Sequence, residues 1–318
     1  MKKIAILTSG GDSPGMNPAI RAAVRYGLSV GMEIIGIERG YQGLLDGSFK
    51  EMKSRSVSNI LQRGGTILKT ARCLEFKKPE VQDNAIKTLR SIGAEGLIVI
   101  GGDGSFNGAK ALSEKGFPSI GIPGTIDNDI AYTDYTLGFD TACNTVLDSI
   151  NKLRDTMESH DRIVIVEVMG RNCGDLAIHT GICGGAEVIV IPEIPFDITA
   201  ICHKLTKNRD MGKLSGIVVV AEGVGKADSF AEIIAAKTKM NVRATVLGHM
   251  QRGGAPSARD RMLGTMFGIH AVKLLEKGIG NRIVGIKNEK VIDVDIVKGL
   301  SLEKKFNKDL YKIAGLLS

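Results

Sequence analysis

The stretch Leu97-Ile98-Val99-Ile100-Gly101-Gly102-Asp103-Gly104-Ser105 carries the main signal for both fold and chemistry. Four consecutive apolar residues predict a strand that is buried on both faces, as in a parallel sheet. The glycines that follow let the backbone turn tightly and approach a ligand closely. Asp103 stands in this turn and suits Mg²⁺, a hard cation usually bound through one or two carboxylates and substrate phosphates. Capping of the next helix by Asp103 is the structural alternative.

Short apolar runs alternate with helical patterns along the whole chain, which predicts an α/β protein with doubly wound, mainly parallel sheets. In such sheets, ligands bind outside the carboxyl ends of the strands. The predicted strands are Lys3–Thr8, Glu33–Ile37, Gly96–Ile100, Ser119–Ile122, Ile163–Val168, Glu187–Ile191, Gly216–Ala221, Thr245–Leu247 and Ile283–Ile286. The predicted helices are Pro18–Tyr26, Val81–Ile92, Phe106–Glu114, Thr141–Thr156, Ser229–Lys239 and Arg259–Glu276.

Composition excludes several classes of protein. The chain has 318 residues, 43% hydrophobic and 24% charged, so a packed core is expected and disorder is not. No apolar run is long enough for a membrane span, and we expect a cytoplasmic protein. The five scattered cysteines predict reduced thiols. The net charge of +7 comes without a long Lys/Arg run, which disfavours nucleic acid and favours small anionic ligands.

Two further loops follow predicted strands. In the segment 8–17, we predict that Asn17 caps a helix beginning at Pro18, so that the free N–H groups of this helix end can hold phosphate. In the segment 122–129, Asp127 and Asp129 lie two residues apart and would project to the same side of an extended turn. Paired carboxylates beside a metal-phosphate site suit proton acceptance and metal support. A plain tight turn is the alternative for each loop.

A third set of residues is cationic and lies at the ends of predicted strands. Guanidinium groups there suit bidentate phosphate binding, although any single one could simply be solvated. Glu222 could hydrogen-bond a sugar hydroxyl or pair with an arginine. Arg21 and Arg25 share one helix face, and Arg154 and Lys213 are weaker candidates. The strand-end arginines are Arg162, Arg171, Arg243 and Arg252.

Taken together, the segments Gly101–Ser105 and Pro123–Asp129 resemble the bacterial ATP-dependent 6-phosphofructokinases. The resemblance extends from Lys3 to about Glu289. It includes Leu7-Thr8-Ser9-Gly10-Gly11-Asp12, Arg63-Gly64-Gly65-Thr66, Glu167-Val168-Met169-Gly170-Arg171 and Leu247-Gly248-His249-Met250-Gln251-Arg252-Gly253-Gly254. A match of this length and order is far more specific than a single glycine-rich loop.

The resemblance implies an active site in a cleft between two domains. The larger, ATP-binding domain would comprise residues 1–138 and 251–301, and the smaller, sugar-phosphate domain residues 139–250 and 302–318. Asp127 would be the base for the 1-hydroxyl of fructose 6-phosphate, supported by Thr125 and Asp129, and Arg171 would stabilise the transferring phosphoryl group. ATP would be held by Gly11, Arg72, Cys73, Gly102, Asp103, Gly104 and Ser105, with Asp103 on Mg²⁺. The sugar phosphate would be held by Arg162, Met169, Gly170, Glu222, Arg243, His249 and Arg252, together with Thr125, Asp127 and Arg171.

The resemblance also implies a homotetramer in which Arg162 and Arg243 reach in from a neighbouring subunit. An effector site for ADP or phosphoenolpyruvate would comprise Arg21, Arg25, Arg154, Gly185, Glu187 and Lys213. Two departures, Met211 and Leu214, replace residues that are often basic in the family, and fewer cations should weaken anion binding.

The phosphoryl donor is predicted from two glycines. Relatives that use pyrophosphate typically carry Asp at position 104 and Lys at position 124, where their side chains would fill the place of a nucleotide phosphate. Gly104 and Gly124 therefore favour ATP. The alternatives are another kinase with a Gly-Gly-Asp-Gly loop, such as an NAD or lipid kinase, and a nucleotide-sensing protein without catalysis.

Overall fold

The computed structural model describes residues 1–317 and confirms the predicted α/β class. It has twelve strands and eleven α-helices within that range. The strands are β1 Lys3–Thr8, β2 Glu33–Ile37, β3 Phe49–Glu51, β4 Gly96–Gly101, β5 Ser119–Thr125, β6 Leu137–Gly138, β7 Arg162–Val168, β8 Val188–Val190, β9 Gly216–Ala221, β10 Asn241–Val246, β11 Arg282–Lys287 and β12 Lys290–Asp295. The helices are α1 Met16–Ser29, α2 Gly40–Asp46, α3 Pro79–Ser91, α4 Asp103–Glu114, α5 Phe139–Glu158, α6 Asp175–Cys183, α7 Ile198–Asp210, α8 Ala227–Thr238, α9 Ala258–Glu276, α10 Ile296–Leu300 and α11 Lys308–Leu316.

The chain forms two compact units, each made of several segments. The first comprises residues 1–126, 130–141 and 252–304, and the second comprises residues 127–129, 142–251 and 305–318. In the first unit, the strand order is β12-β11-β5-β4-β1-β2-β3, and β6 pairs with β5. The pairings are parallel except at the two edges, where β3 and β12 run antiparallel to their neighbours.

Strand β4 occupies the centre of this sheet, and all six of its residues are buried there. Apolar helices cover both faces, and each face has its own core cluster. One cluster contains Ile98 and Ile100 with residues of α1 and α9, and the other contains Leu97 and Val99 with residues of α3 and α4. Alternate side chains of one strand thus serve two cores, which explains the uninterrupted apolar run in the sequence.

The second unit contains a four-stranded, all-parallel sheet in the order β10-β7-β9-β8. Strand β9 is buried at every position, and its Val218 and Val220 join a core cluster with residues of α7 and α8. Strand β10 lies at the edge, and only Val242 of its six residues is buried. This exposure explains why the sequence pattern predicted only Thr245–Leu247 in this region.

The prediction that Asn17 caps a helix is wrong. Helix α1 already begins at Met16, and Asn17 lies inside it at 1% exposure. Its amide donates to the carbonyls of Arg63 (3.0 Å) and Gly64 (3.2 Å), and its carbonyl oxygen accepts from the N–H of Ile67 (2.8 Å). Asn17 therefore fixes the loop 63–67, a partner that a local capping rule cannot identify.

The carboxylate of Asp260 ties the start of α9 to the start of α5. It is fully buried and accepts hydrogen bonds from the backbone N–H groups of Gly138 (2.8 Å) and Thr141 (2.9 Å) and from the Thr141 hydroxyl (2.5 Å). Burial outweighs these bonds and raises the pKa of Asp260 from 3.8 to about 6. The folded protein therefore binds a proton at this site more tightly than the unfolded chain does.

We predict that Asp260→Asn destabilises the protein more at pH 4.5 than at pH 7.5. Because the folded-state pKa is raised, the stabilising contribution of Asp260 is complete below the unfolded-state pKa and declines as the pH rises towards 6. The difference in unfolding free energy between wild type and variant should shrink by about 2 kcal/mol from pH 4.5 to pH 7.5. Denaturant unfolding at several pH values measures it, and a difference that grows with pH would contradict the assignment.

Candidate active site

A cavity of about 710 Å³ opens in the first unit beside the loops that follow β1, β4 and β5. Its walls include most of the residues predicted to bind ATP and two of those predicted to bind the sugar phosphate. The structure brings together Gly11, Arg72, Cys73, Gly102, Gly104, Ser105, Thr125 and Arg252. Because the loops leave three parallel strands in the same direction, they meet at one edge of the sheet.

Helix α4 begins at Asp103, directly after β4. The N-cap residue is Gly102, and no side chain caps this helix, so the alternative role of Asp103 as a helix cap is not observed. Asp103 is exposed and lies in the first turn. The free N–H groups and the positive dipole end of such a turn attract phosphate oxygens. A carboxylate at the same place supplies the hard oxygen ligand that Mg²⁺ requires.

Gly11 and Arg252, which both line the cavity, lie in contact with each other. A β-carbon at position 11 would lie 2.5 Å from Nη1 of Arg252, so a larger residue there would displace this guanidinium from its present position. Arg252 Nη1 donates to the carbonyl of Asp12 at 3.3 Å. The backbone thus holds a cation at the cavity, where it can face an anionic ligand.

The two glycines expected to select the donor have different surroundings. A β-carbon on Gly104 would meet nothing within 4 Å, so a side chain there would extend into open space. A β-carbon on Gly124 would lie 2.9 Å from the terminal methyl of Met16. A side chain at position 124 therefore requires Met16 to move, whereas position 104 stays open only because its residue is glycine.

The turn that carries Asp127 and Asp129 is not extended, contrary to expectation. Asn128 between them has φ of 51°, in the left-handed region, and its side-chain amide donates to the carboxylate of Asp175 at 3.0 Å. In the first unit, the Thr136 hydroxyl donates to the carbonyl of Thr125 at 2.6 Å. These bonds fix the backbone on both sides of Asp127. The rule that an extended turn projects both carboxylates to one side therefore does not apply here.

In the second unit, several residues predicted to hold the sugar phosphate lie together at the carboxyl ends of the strands. The N–H of Met169 donates to the side-chain carbonyl of Gln251 at 3.0 Å. The N–H of Glu222 donates to Val168 at 2.8 Å, and that of Gly223 donates to Gly170 at 3.3 Å. These bonds gather three segments around the ends of β7, β9 and β10. They are residues 169–171, Glu222 and the 3-10 turn Gly248–Arg252, which contains His249.

Arg162 and Arg243 lie at the other end of this sheet. Arg162 is the first residue of β7, and Arg243 pairs with Val164 near the same end. A seven-residue strand is roughly 20 Å long, so both arginines lie far from Met169–Arg171 within one chain. The sequence predicted that Arg162 opens one strand and that Arg243 precedes another, and the structure places both near the amino ends, with Arg243 inside β10. Within residues 1–317, Nε of Arg162 is buried without a hydrogen-bond partner.

Four of the predicted effector residues lie together in the second unit. Nη2 of Arg154 donates to the carbonyls of Gly184 (2.5 Å) and Gly185 (2.8 Å). Nζ of Lys213 lies 2.6 Å from Oε1 of the buried Glu187, and the N–H of Ile217 donates to the other oxygen of that carboxylate. Arg21 and Arg25 lie on α1 of the first unit. Met211 and Leu214 are 69% and 45% exposed.

Sequence reasoning missed the apolar wall of the cavity. Tyr41 and Phe76 stack with ring centroids 4.1 Å apart, and Gly108 lies against Tyr41. Nothing local distinguishes these residues from ordinary core positions. Two residues of the second unit were missed for the same reason. Gln251 accepts from the N–H of Met169, and Asp175 accepts from the side-chain amide of Asn128.

The part of the chain that the structure describes contains no cluster of three or more His, Cys, Asp or Glu side chains suited to a metal. A bound Mg²⁺ would therefore depend on few protein ligands and on ligand oxygens. Across the same residues, no helix is both long enough and apolar enough to span a bilayer.

Comparison with known proteins gives consistent results. Residues 3–275 match the family model described as Phosphofructokinase. The chain is 58% identical over 318 residues to an ATP-dependent 6-phosphofructokinase from Clostridium tetani, and the match covers all of both chains. A phosphofructokinase structure from Saccharomyces cerevisiae matches with a TM-score of 0.88 and 34% identity, covering 100% of this chain and 47% of that one. A pyrophosphate-dependent phosphofructokinase structure from Marinobacter aquaeolei has the same fold, with a TM-score of 0.88 and 20% identity.

Proposed function

Because the chain belongs to the phosphofructokinase family, we propose that it transfers the γ-phosphoryl group of ATP to the C1 hydroxyl of fructose 6-phosphate. The products are fructose 1,6-bisphosphate and ADP, and the reaction is one of the kinase steps of glycolysis. The observation that carries this proposal is the cavity of about 710 Å³, which combines an apolar wall with the first turn of α4 and remains open at Gly104.

The first unit holds the donor. Its apolar wall suits a nucleotide base, and the N–H groups at the start of α4 suit the phosphates. Arg72 and Arg252 supply positive charge at the cavity, and Asp103 would hold Mg²⁺. When bound, this ion neutralises charge on the β- and γ-phosphates. Because only a few protein ligands are required, the absence of a carboxylate cluster among the described residues is compatible with Mg²⁺.

The second unit holds the acceptor and the base. Asp127 accepts the proton of the C1 hydroxyl as that oxygen attacks the γ-phosphorus, and one of its carboxylate oxygens is buried. The left-handed residue Asn128 and its bond to Asp175 keep the turn in place. Arg171 stabilises the negative charge on the transferring group, while Met169, Glu222 and His249 position the sugar phosphate. Positioning and charge neutralisation provide most of the rate enhancement in such reactions.

The positions of Arg162 and Arg243 support a homotetramer with shared active sites. Both lie at the amino ends of their strands, so their own chain separates them from Met169–Arg171. In a symmetric oligomer, the same two arginines can reach the phosphate of a sugar bound by a neighbouring subunit.

Control by ADP or phosphoenolpyruvate would use the group around Glu187. There, Lys213 pairs with Glu187, and Arg154 donates to backbone carbonyls, so an entering anion has to compete with existing partners. Met211 and Leu214 add exposed apolar surface where further cations would help. We therefore propose weak effector binding at this site.

We predict that Asp127→Ser lowers kcat by ~10²–10⁴-fold, because the general base is lost while the substrates still bind. Steady-state kinetics with MgATP and fructose 6-phosphate measures the effect. Asp228→Ser removes an exposed carboxylate from the same unit and should retain wild-type activity. Near-normal turnover of the Asp127 variant would contradict the assignment of the base.

We predict that Gly104→Asp raises the KM for ATP by at least about tenfold and leaves folding intact. The new carboxylate would meet no protein atom, but it would lie where the donor phosphates bind and would repel them. Gly116→Asp is a suitable control, since position 116 also lacks neighbours within 4 Å and is remote from the cavity lining, although its positive φ disfavours side chains. Unchanged ATP kinetics in the Gly104 variant would place the phosphates elsewhere.

Shared active sites predict complementation between two inactive variants. Asp127→Ser and Arg162→Ser should each be nearly inactive alone. After unfolding together and refolding as a mixture, about a quarter of the sites should combine an intact Asp127 with an intact partner arginine, if subunits pair at random. Recovery of activity to that level supports the shared site. A mixture that stays as inactive as its components would show that each chain supplies its own Arg162.

A further inference from the structure

We infer that Tyr41 is a positioning residue of the donor site, which fixes the first turn of α4 through its hydroxyl while its ring forms part of the cavity wall. The inference rests on the proposed function, because it takes the cavity as the ATP site. It adds a residue that has no counterpart among the groups expected to touch the phosphates, the metal ion or the sugar.

The hydrogen bond between Tyr41 and α4 is short and buried. Tyr41 is 4% exposed, and its hydroxyl donates to the carbonyl of Ser105 at 2.6 Å. The two residues are 64 positions apart, so this bond connects α2 to the start of α4. Ser105 is the third residue of α4 and borders the cavity together with Gly102 and Gly104. The backbone that would carry the triphosphate is therefore tied to a side chain from another element.

Burial keeps this donor in one protonation state. Desolvation raises the pKa of Tyr41 well above its ordinary value of 10. The phenol therefore remains protonated at neutral pH and always donates to Ser105. A carbonyl in the first turn of a helix tolerates such a second donor, because its oxygen has two lone pairs.

The ring of Tyr41 is held from two sides. It stacks on Phe76 with a centroid distance of 4.1 Å and an interplanar angle of 26°. On another side lies Gly108 of α4, where a β-carbon would be only 2.6 Å from Cζ of Tyr41 and 2.7 Å from its hydroxyl oxygen. Glycine inside a helix is unfavourable compared with alanine, so its presence here is explained by the space that the phenol needs.

Tyr41 therefore links the two halves of the cavity, the apolar wall and the phosphate-binding turn. Removing only the hydroxyl leaves the stacked ring in place but releases Ser105. The consequence should fall on the phosphate part of the ligand, because the wall still accepts a base. A loss of affinity confined to ligands with phosphates would indicate a positioning role. A general contribution of Tyr41 to packing would change the affinity for every ligand or for none.

The first test is Tyr41→Phe, with kinetics and binding measured on the full chain. We expect the KM for ATP to rise by about three- to tenfold, the range for one lost hydrogen bond, with the KM for fructose 6-phosphate unchanged. Affinity for the non-hydrolysable analogue β,γ-imido-ATP should fall by the same factor, while affinity for adenosine should be retained. Tyr311→Phe is the control, because it removes a phenol hydroxyl that donates to the Ile189 carbonyl (3.2 Å) in the second unit.

The second test is Gly108→Ala, which leaves Tyr41 chemically intact but forces its ring away from Ser105. We expect the KM for ATP to rise as in Tyr41→Phe, together with a lower unfolding temperature, because displacing a buried ring costs more than the helix preference of alanine returns. Unchanged ATP and β,γ-imido-ATP affinity in Tyr41→Phe would overturn the inference, as would an equal loss for adenosine. If the wild-type protein neither turns over ATP nor binds its analogue, the proposed function fails instead.

Discussion

The site depends on the burial of β4 between two parallel neighbours. Ala5 of β1 and Ser119 of β5 both stand opposite Leu97, so the three strands are locked in register. All six residues of β4 are buried, and a shift by one residue would move every side chain into the wrong core. The turns after these strands therefore emerge at fixed positions along one edge. Backbone N–H groups can hold phosphate there because the sheet, and not the ligand, determines where they lie.

In the proposed reaction, the two units would supply different kinds of charge. The first would contribute mainly backbone dipoles and glycine turns, with two arginines at the cavity. The second would contribute the carboxylate of Asp127 and a cluster of strand-end side chains, which includes Arg171. A phosphoryl group that passes from donor to acceptor carries negative charge throughout.

The sequence predicts those features that depend on nearby residues. The bounds of β1, β2 and β9 agree with the predicted strands residue for residue, because buried strands of parallel sheets are uninterrupted apolar runs. The strand β12 was missed because edge strands carry charged and polar residues, as the sequence Lys-Val-Ile-Asp-Val-Asp shows.

Features that depend on distant partners could not be predicted. Asn17 has the residue type of a helix cap, but its amide bonds to a loop 46 to 50 residues later in the chain. The wall formed by Tyr41 and Phe76 likewise exists only after folding. For the candidate site, residue types and strand ends predicted loops that line the cavity. The same pattern put Arg162 and Arg243 at the starts of strands, and the pairing of β10 with β7 shows that both lie towards the same end of the sheet.

The discontinuity of the two units has a consequence for how such a protein can change over evolutionary time. The backbone passes from one unit to the other at residues 126, 129, 141, 251 and 304, so neither unit corresponds to one uninterrupted stretch of gene. A single recombination event cannot exchange the donor half for that of another enzyme without also breaking the acceptor half. A point substitution in a loop avoids this difficulty, and the side-chain-free position at Gly104 is a place where one residue could change the space open to the donor.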